Sequence, residues 1–353
     1  MDHLDLSTTP GVALAAIIAI VTSSVLYYLK KADAELPLAS HDIVDLRIYP
    51  IKSCRGVQVQ SAALLKTGLD LDRNWMFVSA GKRDFLTIRD EPRMTLIRTR
   101  VDFASDTLVI TIEGNKGWEL SIPAHPTTEW LEANTTLRTG VIWGQKTDGW
   151  EYPATMTQAI SEFLSVETRL LYKGPSPRVL RGCGAPDRLG RTEATKFADM
   201  MPVLVASLAS LTELNGRLRS GGEHAVDIER FRPNIIISGH EPWAEDNWKT
   251  LRIREAENGG DGDDQREKKA VELDVVSRCL RCQVPNVDPD TADKNPRQPW
   301  DELVKYRRID EGLKFKPSFG MLCVPRAELV VTVGQKLDVM QTTDSHFFIN
   351  PMK

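Results

Sequence analysis

A chain of 353 residues, 41% hydrophobic and 27% charged, holds enough apolar material for one large or two modest cores and is too apolar for a disordered polymer. A net charge of −4 excludes the bulk positive field expected of a nucleic-acid binder. Five cysteines, an odd number in a long chain, fit free thiols in a reducing compartment better than a secreted disulfide scaffold.

After a short tail (1–10), residues 11–29 (GVALAAIIAIVTSSVLYYL) carry no charge. At about 1.5 Å per residue they reach roughly 28 Å, one hydrocarbon core. Lys30 and Lys31 follow, whereas the preceding flank has Asp2 and Asp5 and no Lys or Arg, so the positive-inside rule places the C-terminal bulk in the cytosol. A cleaved signal peptide, with Ala32-Asp33-Ala34 as its site, is the competing reading; the missing basic n-region and the trailing lysines weigh against it. The expectation is a single-pass signal anchor followed by a polar linker (30–41).

Beyond the linker the apolar period shortens to two. Ile43–Tyr49 alternates like a half-buried strand and runs into the turn Pro50-Ile51-Lys52-Ser53-Cys54-Arg55-Gly56. Read alone, that turn is a solvated surface; its ammonium, hydroxyl and turn amides also suit a phosphate monoester. Gly68–Val78 leads from a turn into a strand and carries Arg73, which can pair with Asp70 or Asp72. Further alternating runs at 85–88, 94–98, 108–112 and 120–122 indicate a barrel or sandwich. Residues 157–164 have helical period, and 169–172 form a strand before a Gly/Pro-rich loop, 174–190, whose Arg178, Arg181 and Arg188, with Arg191 just beyond it, read as a solvated loop, with substrate gating or partner docking as the alternative. A strand at 202–206 precedes a capped helix at 207–215. Arg230-Phe231-Arg232-Pro233-Asn234 opens an apolar strand, where an arginine alone usually signifies surface. The apolar-free stretch 255–269 reads as a disordered loop between two strands. A short helix at 303–308 and strands at 327–333 and 337–340 complete a mostly β, α+β protein.

The chemistry concentrates in Arg278-Cys279-Leu280-Arg281-Cys282-Gln283-Val284-Pro285-Asn286-Val287-Asp288-Pro289-Asp290-Thr291, after the strand-like run 271–276. A thiolate is a soft ligand for a transition metal, and adjacent guanidinium charge lowers a thiol's pKa and holds an anion nearby. A lone C-x-x-C cannot close a zinc site without a second pair, and Pro285 argues against a thioredoxin-like strand-to-helix setting. One functional thiol and two buried structural cysteines both remain open on chemistry alone.

Arg281-Cys282 followed by Val287-Asp288-Pro289-Asp290-Thr291 resembles the cysteine signature of the molybdenum cofactor sulfurase C-terminal (MOSC) superfamily, and within it the mitochondrial amidoxime-reducing components. Tyr49-Pro50-Ile51-Lys52-Ser53-Cys54, Arg230–Asn234 and the late segment 315–322 match further family motifs, so the resemblance runs from about 43 to 340. It implies a MOSC N-terminal β-barrel domain at 42–175, a MOSC β-barrel domain at 176–345 and a tail at 346–353. It implies a molybdenum–molybdopterin cofactor with Cys282, not Cys279, as the metal ligand and catalytic residue. Lys52, Ser53, Arg73, Arg232, Asn234 and Arg281 are the matching cofactor-binding positions. Leu280, Pro285, Asn286 and Leu322 depart from residues common in close relatives and bear on substrate range.

The implied activity is reduction of N-hydroxylated substrates (amidoximes, hydroxylamines, N-oxides) at the mitochondrial outer membrane, with the catalytic domain in the cytosol. No G-x-G-x-x-G nicotinamide site and no appended cysteine cluster are expected, so electrons come from a cytochrome b5-type carrier and its NADH-dependent reductase. The alternatives are a cofactor-binding or sulfur-carrier module, and a membrane-tethered scaffold with a degenerate pocket. The superfamily is also associated with pyridoxal phosphate, but a complete sulfurase would need a lysine domain for that group, and none is expected here.

Overall fold

The computed structural model describes residues 36–255 and 269–350. Alternation dictates the first strand, Ala39–Ile48, which buries Ile43, Leu46 and Ile48 completely. Its partners are distant in sequence. One edge pairs antiparallel with Lys336–Thr342 and then Val57–Val59, and the other with Ile235–Ile237. Ile235–Ile237 lies parallel to Val203–Ser207, which continues through Ser318–Pro325, Ala270–Leu280 and Trp248–Arg254 back to Lys336–Thr342. Seven strands thereby close a barrel, which leaves its staves no free edge. Most staves are apolar on the inner positions, and Ser318–Pro325 is buried at every position.

The segment between the first stave and the rest builds a second body of sheet. Trp75–Ser79, Thr168–Lys173, Gln145–Glu151 and Thr136–Ile142 form an antiparallel sheet in that spatial order. A separate meander joins Ile97–Asp102, Thr107–Ile112 and Glu119–Pro123. The late strand Leu329–Thr332 pairs with the early strand Ser61–Leu65, a second tie across the molecule. One continuous apolar core runs from Trp75, Phe77, Ile97 and Ile110 into Val205, Ile237, Leu251 and Met321.

Three expectations are corrected. The anchor at 11–29 lies outside the described residues, and among the described residues no helix is long and apolar enough to cross a membrane; the described fold is α+β without a transmembrane helix. Residues 94–96 are not strand: Pro92 at the first position and the Glu91 carboxylate, which accepts from Arg93 N–H, start a 3-10 helix over Pro92–Leu96. The loop 174–190 is not simply solvated. It contributes Arg178–Val179 to a two-stranded ladder with Ala194–Thr195, and Arg178 itself is 7% exposed. Residues 256–268 of the expected disordered loop lie outside the described residues; its flanks meet in the antiparallel pair Arg254–Ala270.

Candidate active site

Four chain segments converge where the staves end against the neighbouring four-stranded sheet. The turn after the first stave supplies Lys52 and Ser53, and the turn before Trp75 supplies Arg73. The turn entering Ile235–Ile237 supplies Arg232 and Asn234, and the exit from Ala270–Leu280 supplies Arg281 and Cys282. All seven sequence-predicted residues line one cavity of about 180 Å³. Ser53, Arg73 and Arg232 all hold left-handed φ angles (69°, 51° and 57°), a conformation that costs non-glycine residues on the order of 1–3 kcal/mol and concentrates at functional turns.

The cations are held by backbone and rings more than by acids. Tyr49, fully buried, lies between two guanidiniums: Arg73 stands 4.3 Å and Arg232 4.2 Å from its ring centroid. Arg73 also donates to Asp72 at 2.6 Å and to the Arg232 carbonyl at 3.1 Å. Arg232 donates from one Nη to the Cys54 carbonyl at 2.8 Å, while its Nη2 is buried without a partner among the described residues. Burial, with Arg73 close by, holds the Arg232 guanidinium below its ordinary pKa. Arg281 donates to the Phe231 carbonyl and the Cys279 sulfur, both at 2.9 Å, and its Nε is left without a partner. Asn234 is committed to the fold: its Oδ1 accepts from Leu204 N–H and its Nδ2 donates to the Arg47 carbonyl, leaving one amide proton for the cavity. Ser53 donates to the Leu86 carbonyl at 3.2 Å.

Lys52 is buried and bonds the Phe197 carbonyl at 3.0 Å and Asp199 at 2.5 Å. Burial pushes its pKa down to about 8 against the pull of Asp199. Trp143 donates to the same Asp199 oxygen at 2.9 Å. Asp199 is therefore a cavity residue that sequence reading missed, as are Trp143 and Tyr49's role as a spacer. Nothing local in the sequence marks a carboxylate as the partner of a lysine 147 positions away. Cys279 lines the same cavity rather than packing behind it, and burial pushes its thiol pKa up. Cys282 is half-buried at the cavity wall. Leu280 and Leu322 also line the cavity, whereas Pro285 and Asn286 do not.

This donor set fits an anionic pterin cofactor. Among the described residues two buried guanidiniums present unpaired N–H groups, a lysine and a serine stand beside them, and two half-buried thiols, Cys279 and Cys282, offer soft donors. A second cavity of about 210 Å³ adjoins the first, sharing Arg89, Trp143, Asp199, Met200, Leu280 and Cys282 with it.

Comparison with known proteins agrees with this architecture. Residues 40–167 match the MOSC N-terminal beta barrel domain, and residues 192–338 match the MOSC domain. The chain is 33% identical to human mitochondrial amidoxime-reducing component 1 over 301 residues, 83% of this chain and 81% of that protein. It is 28% identical to the Xenopus laevis mitochondrial amidoxime-reducing component 1, over 94% of this chain and 90% of that one. It is 32% identical to molybdenum cofactor sulfurase from Oryza sativa subsp. japonica over 78% of this chain but only 31% of that protein. The chain is thus a member of the MOSC-domain superfamily, of the kind represented by the mitochondrial amidoxime-reducing components.

Proposed function

We propose that the first cavity holds a molybdenum–pterin cofactor, with Cys282 as its protein sulfur ligand, and that the protein reduces N-hydroxylated nitrogen compounds. The observation that carries this reading is the pairing of a half-buried thiol with two buried arginines, Arg232 and Arg281, whose free N–H groups face no acid among the described residues. The relatives named for amidoxime reduction support the substrate class. In this reading Lys52, Ser53 and Arg232 take the cofactor phosphate, Arg73 and the remaining Asn234 proton meet the pterin, and Arg281 screens the charge beside Cys282. Asp199 keeps the Lys52 ammonium aimed at the cavity and lowers the cost of burying it. Bound there, the metal would supply two-electron chemistry: an N-hydroxylated substrate, two electrons and two protons give the reduced nitrogen compound and water.

The electrons enter from a separate protein, by this reading a cytochrome b5-type carrier fed by its NADH-dependent reductase. A mitochondrial setting belongs to the same reading and rests on the names of the relatives. The competing reading is sulfur transfer, favoured by the match to a molybdenum cofactor sulfurase of which this chain spans less than a third.

The test is metal and pterin content of the purified protein together with turnover of benzamidoxime from a chemical electron donor. Cys282→Ser should lower turnover by more than about 100-fold, because a hydroxyl is a harder, poorer metal ligand. Cys279→Ser keeps an acceptor for Arg281 Nη1 and should retain metal and most activity. Persulfide on Cys282 in metal-free protein would favour the sulfur-transfer reading. Inactivation by serine at 279 and not at 282 would overturn the ligand assignment.

A further inference from the structure

The second cavity has a composition that the cofactor reading does not use. Its floor and walls are apolar, with Trp143, Leu180, Leu280, Leu313 and Phe348, and its polar lining is lopsided. Four cations, Arg89, Arg178, Arg181 and Lys316, face a single carboxylate, Asp199, which is already committed to Lys52 and Trp143. None of the four makes an ion pair among the described residues. Arg178 is buried on three backbone carbonyls, those of Lys196, Ala198 and Asp199, at 3.2, 2.6 and 3.2 Å; its Nε has no partner. Arg89 is laid over the Trp143 ring at 4.5 Å. Of the four only Arg178 is buried and Arg181 is exposed; the one acid acting on Arg178 among the described residues is Asp199, which Lys52 and Trp143 already share, so a further anion there is favourable.

We propose that this second chamber is a substrate subsite selecting N-hydroxylated compounds that carry a carboxylate on an aromatic body; the proposal rests on the reductase reading. The shared wall gives the orientation. Because Cys282, Leu280 and Trp143 border both chambers, a molecule seated in the second one presents one end at Cys282 and the other among Arg178, Arg181 and Lys316. A chamber of about 210 Å³ admits one substituted ring, since cavities of about 150 Å³ take up benzene. Trp143 and Leu280 supply flat apolar contact for the ring, and the cations supply charge-assisted bonds to the carboxylate. Leu280 then acts on substrate range by shaping the passage between the chambers.

The test compares 4-carboxybenzamidoxime with benzamidoxime on the molybdenum-loaded protein and reads the ratio of their kcat/KM values. The wild type should favour the carboxylated compound. Arg181→Gln combined with Lys316→Gln should lower that ratio about tenfold, the size of a lost charge-assisted contact at a partly exposed site. Lys66→Gln combined with Lys116→Gln removes the same net charge from residues that line neither chamber and should leave the ratio in place. Calorimetric binding of 4-carboxybenzamidoxime in the absence of electron donor should weaken in parallel in the first pair only. A ratio near one in the wild type, an equal fall in both pairs, or unchanged binding in Arg181→Gln/Lys316→Gln would overturn the subsite. Failure to turn over either compound would count against the reductase reading alone, and the binding measurement would still decide the subsite.

Discussion

Arg278 and Arg281 stand three residues apart where one barrel strand ends, and both are buried, at 7% and 8% exposure. Arg278 sits in a neutralised cluster, with Asp310 at 3.6 Å and Asp246 at 4.0 Å. Asp246 also takes Arg307 at 2.7 Å. Among the described residues Arg281 reaches no carboxylate, only a carbonyl and a cysteine sulfur. The same residue type in the same segment thus meets carboxylates in one place and only a carbonyl and a sulfur in another. Acid partners distinguish these two arginines, although Arg73 and Lys52 of the same cavity do meet acids, Asp72 and Asp199.

Breaking the paired side should have the largest effect. Asp246→Ala leaves Arg307 and Arg278 short of a carboxylate in the interior, so thermal or urea unfolding should show a loss of about 3–5 kcal/mol. Unchanged stability would mean that the cluster is hydrated and contributes little. On the unpaired side, Arg232→Ala should cost little in the cofactor-free protein, within about 1 kcal/mol, because removing it relieves the Arg73–Arg232 crowding around Tyr49. Cofactor retention should suffer instead, by about 1.5–3 kcal/mol, one charge-assisted contact to a buried anion. Molybdenum content and unfolding measured on the same samples separate the two effects; a large loss of apo stability would place Arg232 with the structural arginines.

The smallest effect sharpens the comparison through pH. Glu245, 1% exposed, accepts from Ser210 at 2.6 Å, but its other oxygen is buried without a partner. Burial pushes its pKa from 4.5 up to about 7. The folded state therefore holds this proton more tightly than the unfolded one. The resulting stabilisation is complete below pH 4.5 and is lost as pH rises through about 7. Glu245→Gln keeps the Ser210 bond and removes the charge, so it should raise the melting temperature at pH 8, by about 1 kcal/mol in stability, and have little effect at pH 5. Equal shifts at both values would show that the side chain is hydrated.

The site was legible in the sequence where its residues sit in turns of fixed pattern. Lys52-Ser53, Arg232-Pro233-Asn234 and Arg281-Cys282 each join a strand end to a turn, and a strand end fixes where a side chain emerges. Asp199, Trp143 and Arg178 were missed because their roles come from partners far away in sequence. Arg178 looked like one charge in a basic loop, yet it is buried by the carbonyls of 196, 198 and 199. For the fold, period two identifies Ile43–Tyr49 as a strand but carries no information about its partners. The helix Thr128–Asn134 went unread although Thr127 caps Trp130 N–H, because only Leu131 is buried and seven residues show little period. The anchor expectation rested on hydropathy and flanking charge, over residues outside those described.

That first strand has a consequence for how the protein comes into being. Ser40 on it donates to Asp338 on its neighbouring stave, 298 positions later. A ribosome must therefore release nearly the entire chain before the barrel can close, while the intervening sheets form earlier and wait. Until then Ala39–Ile48 and Trp248–Arg254 each present a bare edge, the form in which strands add to other chains. Such long-range closure slows folding and exposes the nascent protein to chaperones and to aggregation. A fragment cut after the first stave would lack one wall of its barrel, so the site's own scaffold depends on a strand that contributes no side chain to the chemistry.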